Sequence, residues 1–269
     1  MAQWNKDSQS FLNNNKTLFE IVGLADKDGN LINTFGAASN VPIANGDVTG
    51  FSHVHKFGKN SDLANGSEES IWDGSNLYPW STWDAGADNV YLKSTAADTT
   101  TILIQGLDEN YALQSETITL TGTTAVASAN TYLRVFRMYN SGSANLSGDV
   151  TAHYSSGTGT VVAKIFSEYQ QTLMAVYSVP AGHTAFITDI QFASPKNAEL
   201  EMALYFRQFG NVFRIQHAGS AYGNQYEMKL DVPLKLTEKS DIDLRATAGT
   251  GGVNASASFD IILVNNTYL

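Results

Sequence analysis

The sequence has no cysteine, only five prolines and little charge: 16 basic and 26 acidic residues make up 16% of its 269 positions. Without cysteine there is no disulfide and no thiolate metal site. The shortage of cations is equally restrictive. A net charge of −10 repels a phosphate backbone and an anionic lipid surface, so neither nucleic acid nor a membrane is an expected partner. No apolar run is long enough for a transmembrane helix. The first residues, Met1-Ala2-Gln3-Trp4-Asn5-Lys6-Asp7, have no basic start followed by an apolar stretch, so no secretory signal is expected. Triplets such as Asn145-Leu146-Ser147 then read as chance matches to a glycosylation site. Also missing are a Gly-x-Ser-x-Gly elbow, a glycine-rich loop before a helix, and any amphipathic helix of three turns. No catalytic residue, no metal site and no cofactor is expected.

What is present favours strands. Glycine (22 residues) and small hydroxyl residues are frequent, which suits strands and tight turns better than helical bundles. The length accommodates one large β domain or two ordinary sandwiches. Residues 1–89 read as an irregular N-terminal arm and aromatic loop region. Within it Leu18–Val22 reads as a short strand running into the turn Asp26-Lys27-Asp28-Gly29-Asn30, with Leu31-Ile32 as the returning arm of a hairpin. From Val90 the pattern is plainly β: Thr101–Gln105, Thr117–Leu120, Leu133–Met138 and Val161–Ile165 are strands of a first sandwich block over 90–166. A polar stretch, Ser167–Leu173, reads as the junction to a second block over 174–269. There Tyr226, Met228, Leu230 and Val232 alternate with Glu227, Lys229 and Asp231, and Ile242, Leu244 and Ala246 with Asp241, Asp243 and Arg245. Residues i and i+2 share a strand face, so each run has one apolar and one wet face. Phe259–Val264 is apolar on both faces and reads as a central strand. Turns at Pro180-Ala181-Gly182, Phe209-Gly210-Asn211 and Gly249–Asn254 space the strands about ten residues apart, as in a sandwich or jelly roll. The expected fold is all-β: two antiparallel sandwich or jelly-roll-like blocks.

Few residues suggest chemistry. His53 and His55 would point the same way on a strand, with Glu68, Glu69 and Asp73 as the nearest carboxylates. Spacing alone is weak evidence for a metal, and a strand end meeting solvent explains the pair better. Asp26–Asn30 resembles the start of a calcium loop but lacks the distant Glu and the flanking helices. Asp241 with Asp243, or Glu199 with Glu201, could serve a glycosidase. Such pairs arise often among 26 acids, and solvated sheet faces account for them.

The most distinctive stretch is Ile71-Trp72-Asp73-Gly74-Ser75-Asn76-Leu77-Tyr78-Pro79-Trp80, with Trp83 close behind. Its Gly and Pro disfavour a strand. Exposed on a loop, Ile71, Trp72, Asp73, Leu77, Tyr78, Trp80 and Trp83 would form a protein interface, or Trp72, Tyr78, Trp80 and Trp83 could stack on sugars. The alternative is an internal plug, with the rings capping the open end of a sandwich.

Here a resemblance enters. Val54-His55-Lys56-Phe57-Gly58-Lys59-Asn60, Glu68-Glu69-Ser70-Ile71-Trp72-Asp73-Gly74, Gln105-Gly106-Leu107-Asp108, Glu116–Thr123, Phe213-Arg214-Ile215 and Glu238–Ala246 resemble a family of uncharacterised virion structural proteins of tailed bacteriophages, many from marine hosts and of the cyanophage kind. The likeness runs from about Val54 to the end. It departs after Gly74, where Ser75-Asn76 stand in place of further glycines. The resemblance implies a location in the phage particle and a structural, non-enzymatic role in repeated copies. The first expectation is a capsid decoration or cement protein on the major capsid protein lattice, self-associating as a homo-oligomer and contacting other virion proteins. A tail, baseplate or head–tail connector component, and a carbohydrate-binding receptor module, are the alternatives.

Overall fold

The computed structural model describes residues 3–5, 10–12, 18–20, 41–194, 198–223 and 225–269. The chain divides into two compact units, Met1–His53 and Val54–Leu269. The first holds three short antiparallel strands paired in sequence order, β1 (Gln3–Asn5), β2 (Ser10–Leu12) and β3 (Leu18–Glu20), and the one-turn helix α1 (Val41–Ala44). The turn expected at Asp26–Asn30 and the return at Leu31-Ile32 lie outside the described residues.

The second unit is all-β. Its strands are β4 (Phe51–Leu63, in this unit from Val54), β5 (Glu68–Ser70), β6 (Asp88–Ser94), β7 (Thr101–Leu107), β8 (Leu113–Thr119), β9 (Val126–Tyr132), β10 (Arg134–Asn140), β11 (Val150–Tyr154) and β12 (Val161–Ile165). They continue with β13 (Val176–Ser178), β14 (His183–Ala193), β15 (Glu199–Arg207), β16 (Arg214–Tyr222), β17 (Gln225–Leu236), β18 (Asp241–Ala248) and β19 (Val253–Asn265). No helix among the described residues is long and apolar enough to cross a membrane.

Two cores organise these strands. Strands β6 to β12 form one lobe from two sheets, ordered β12-β11-β6-β9 and β10-β7-β8. Between them lie Val90, Leu92, Ile102, Ile104, Met138, Val150 and Val162. The other lobe has sheets ordered β17-β14-β19-β4 and β13-β18-β15-β16, with β5 also on β18. With β5 and β13 counted as one position beside β18, every step along this lobe except β15 to β16 crosses to the opposite sheet, and the first strand lies beside the last. That is a jelly roll. Its core takes one side of each strand: Ile187, Ile190 and Phe192 from β14, Leu200, Met202 and Leu204 from β15, Ile242, Leu244 and Ala246 from β18, Phe259, Ile261 and Leu263 from β19. The period-two alternation read from the sequence is this inward face. As expected, β19 is central, between β14 and β4.

The first lobe is an insertion in one strand position of the jelly roll. Strands β5 and β13 are both antiparallel to β18, β5 opposite Arg245–Thr247 and β13 opposite Asp241–Asp243. The chain leaves the sheet after Ile71 and returns at Ala175, and the two crossings are bonded: Ala175 N–H donates to the Ile71 carbonyl at 2.9 Å, and Trp72 bridges to Met174. Adjacent ends let a domain be inserted without disturbing its host. Strand β13 then divides the cores, with Met174 and Val176 facing the inserted lobe and Ala175, Tyr177 and Val179 facing the jelly roll. Beside the crossing, a Cβ on Gly58 would fall 2.2 Å from the Ile71 carbonyl oxygen and 2.4 Å from the Ala175 nitrogen, so only glycine lets β4 pass.

The stretch expected to be an irregular arm to residue 89 is therefore jelly roll from Val54 to Ile71, and from Trp72 on it packs into the core of the inserted lobe. The strand in Val54–Asn60 is hidden in the sequence because its covered face carries Lys56, Gly58 and Asn60 instead of apolar residues. Ser167–Leu173 is a tight turn leading out of the inserted lobe, with Tyr169 N–H bonded to the Phe166 carbonyl at 2.9 Å.

Candidate functional site

The outward face of β18 holds the densest polar cluster. Asp241, Asp243 and Arg245 occupy alternate positions opposite the apolar side. The sequence reading puts these acids on a solvated face. The structure overturns that: the inserted lobe covers it, leaving Asp241 2% and Asp243 0% exposed. Burial of charge demands partners, and the strands around supply them. Arg134, from β10, donates from Nε to Asp241 Oδ1 at 3.1 Å and from Nη2 to Oδ2 at 3.3 Å. Arg207, at the end of β15, donates to Oδ2 from Nε at 2.9 Å and from Nη2 at 2.6 Å. Ser178 Oγ donates to the same carboxylate. Asp243 Oδ2 accepts from Arg245 Nε at 2.8 Å, Ser70 Oγ at 3.0 Å and Trp80 Nε1 at 2.8 Å. Arg245 Nη1 reaches Glu68 Oε2 at 3.1 Å, and Tyr205 donates to Glu68 Oε1 at 2.5 Å.

Electrostatics follows from burial. Desolvation pushes the Asp243 carboxyl up against the opposing pull of Arg245. Burial, with the bond to Glu68, raises the Tyr205 phenol to about 12, so it remains a donor. Aromatic rings wall the cluster: the guanidinium carbons of Arg134 and Arg207 lie 5.7 and 5.4 Å from the Trp80 ring centre, and Arg245 lies 4.9 Å from Phe213. As chemistry the arrangement is closed. Three cations face three carboxylates, and no substrate reaches Asp241 or Asp243, so they cannot act as a glycosidase pair. What it can do is clamp the lobes, since Arg134 comes from one and Asp241 and Arg207 from the other.

The aromatic segment completes the clamp. Trp80 and Trp83 start and centre a 3-10 helix, Trp80–Ala85. Ile71, Trp72, Asp73, Tyr78, Trp80 and Trp83 are all buried in the chain, and of the seven candidate interface residues Leu77 alone is exposed, at 45%. Tyr78 packs edge-on to both Trp72 and Trp80, at 5.1 and 4.7 Å, and its hydroxyl donates to the Val135 carbonyl at 3.0 Å. Of the two readings left open by the sequence, these rings occupy the internal one. They are core, and offer no face to a protein or a sugar. Large apolar side chains are exposed elsewhere, at Phe209, Val212 and Ile215 on and beside the β15–β16 turn.

The remaining candidates disperse. His55 Nδ1 lies 2.8 Å from Asp260 Oδ1, while Glu69 bonds Asn60 Nδ2 at 2.8 Å and Asp73 takes the Leu173 N–H at 2.6 Å. Among the described residues no group of three or more His, Asp or Glu is placed to hold a metal ion. Glu199 and Glu201 are exposed, as a solvated sheet face requires. Sequence reasoning missed Arg134, Arg207 and Phe213, which join the cluster only through the fold. Three separate stretches of sequence meet here: Glu68 and Ser70 from one, Phe213 from another, Asp241, Asp243 and Arg245 from a third.

Two buried groups beside the crossing set opposite pH dependences. Burial, and secondarily the charge of Arg137, lowers Lys56 to about 7; its Nζ donates to the Phe136 carbonyl. Burial raises Asp73 to about 7. Between about pH 7 and 10.5 the unfolded chain binds the lysine proton and the folded chain does not, so this term raises stability as pH rises. Between about pH 4 and 7 the folded chain retains the Asp73 proton and the unfolded chain loses it, so that term lowers stability as pH rises. Lys56→Met should therefore stabilise most at and below pH 7, by roughly 2–4 kcal/mol, with the gain shrinking toward pH 10. Asp73→Asn, which keeps an acceptor for Leu173, should stabilise above pH 7 and be neutral at pH 4. Urea unfolding at several pH values checks both, and a gain independent of pH would contradict the assignment.

No protein-family model matches the chain, and no curated protein does. Among solved structures, chains from infectious bursal disease virus align at low similarity. The Gt strain gives 10% identity over 81% of this chain and 73% of the other, with a TM-score of 0.24. The Gx strain gives 10% identity, coverage of 80% and 72% and a TM-score of 0.23. T=1 particles derived from the virus give 11%, 80% and 70%, and 0.23. Likeness of this grade does not establish a shared fold.

Proposed function

We propose that the chain is a structural component of a phage virion, a decoration or cement protein on the major capsid protein lattice. The observation that carries this reading is the build of the Val54–Leu269 unit: a jelly roll with a second β lobe set into one of its strands and clamped to it by the buried Arg134–Asp241 pair. Jelly rolls serve viral capsid and lectin domains, and a rigid unit with closed chemistry suits a repeated building part. The sequence resemblance points the same way, and an acidic chain is best placed on an outer surface, away from packaged nucleic acid. In such a role the exposed Phe209 and Val212 would meet neighbouring subunits.

Copy number in purified particles tests the proposal. Quantitative mass spectrometry should find hundreds of copies per particle, in fixed ratio to the major capsid protein. A few copies confined to one vertex would move the chain to the tail, baseplate or connector, and absence from washed particles would remove it from the virion.

A further inference from the structure

We propose that the outer face of β15, β16 and β18 carries a binding groove for a neutral saccharide. The groove has a volume of about 390 Å³, within the range of small-ligand sites. Its floor is made of small residues. Ala203 lies opposite Ala218 on one side and Arg245 on the other, and Gly219 is adjacent. Tyr205 and Arg245 stand beside these small residues and bound the groove on one side.

The rims carry the polar groups. On one side Glu201 stands opposite Ser220 and Thr247, giving an exposed carboxylate between two hydroxyls. On the other is Glu68, whose oxygens are fixed by Tyr205 at 2.5 Å and Arg245 at 3.1 Å. Arg245 is only 8% exposed, yet it lines the groove, held in place by Asp243 and Glu68. A built-in guanidinium of this kind needs no reordering when a ligand arrives.

The chemistry selects the ligand. A sugar hydroxyl both donates and accepts, and the groove offers carboxylates to accept, a guanidinium to donate, and Ser220 and Thr247 to do either. An anion is disfavoured because two carboxylates face one guanidinium whose charge is already met. A metal cation lacks a ligand set, since no group of three His, Asp or Glu is placed to hold one among the described residues. Ile215, which is exposed, supplies an apolar edge for the sugar's C–H face. This site is separate from the buried tryptophans, and it does not depend on where in a particle the chain sits.

The test is a printed array of neutral, sialylated and sulfated oligosaccharides probed with the full chain, followed by calorimetry on the best neutral binder. Glu201→Gln and Ser220→Ala change exposed side chains and should leave the unfolding midpoint unchanged. Glu201→Gln should weaken binding about tenfold or more, as loss of a charged acceptor does. No glycan bound, charged glycans only, or equal affinity in both variants would overturn the proposal. So would tighter binding of a lysine-rich peptide at this groove than of any glycan.

Discussion

Replacing Asp241 with asparagine is expected to cost about 3–5 kcal/mol of stability, the range found when one partner of a buried ion pair is removed. Asp241 is the shared acceptor of Arg134 and Arg207 and also takes the Ser178 hydroxyl. Arg134 is nearly inaccessible, its side chain 6% exposed. The asparagine would keep the volume and remove the charge, leaving two guanidinium groups with no counter-ion in a site that water hardly enters. The loss should appear as a lower urea midpoint and as faster proteolysis at the crossing around residues 72–74 and 166–174, where the lobes separate. A second variant distinguishes the cost of an orphaned charge from the net worth of the pair. Arg134→Met, Arg207→Met and Asp241→Leu together should recover much of the stability, because apolar residues of similar volume often replace a buried ion cluster at little cost. A loss below about 1 kcal/mol in Asp241→Asn would mean that the seam is wetter than its geometry indicates.

Asp241 also marks the limit of what the sequence discloses. The alternation of Ile242, Leu244 and Ala246 with Asp241, Asp243 and Arg245 correctly reports a strand with two unlike faces. Period two does not say whether the polar face meets water or a second domain carrying matching charge. Phe259–Val264 was legible as a central strand because both its faces are apolar. The strand at Val54–Asn60 was not, because Lys56 and Asn60 are polar groups satisfied inside by the Phe136 carbonyl and by Glu69. Turns bounded by Gly182 and Gly210, both at positive φ, were readable from local chemistry alone. The insertion was not readable, because β5 and β13 share one sheet position while lying about a hundred residues apart. For the saccharide groove, Glu201 was visible as an exposed acid, but its meeting with Ser220, Thr247 and Glu68 depends on register.

Trp80→Ala should be nearly as damaging, at about 3–5 kcal/mol for a large buried aromatic, and it separates the two uses the aromatic segment could have. Trp80 fills the space between Tyr78 and Phe213, with ring centres 4.7 and 5.4 Å away, and donates to Asp243 at 2.8 Å. Its removal opens a cavity at the seam and takes one of the three donors from a carboxylate whose Oδ1 already has no partner. Trp80→Phe retains most of the packing and loses the donor alone, for which about 1–3 kcal/mol is expected. Leu77→Ala, by contrast, should change stability by no more than about 0.5 kcal/mol, since that side chain projects into solvent. Thermal unfolding of the isolated chain reads all three. If the tryptophan were an interface anchor, the isolated chain would tolerate Trp80→Ala, and the defect would appear only on assembly into particles. A plug requires the reverse order, with the loss already present in the isolated chain and smaller for phenylalanine than for alanine.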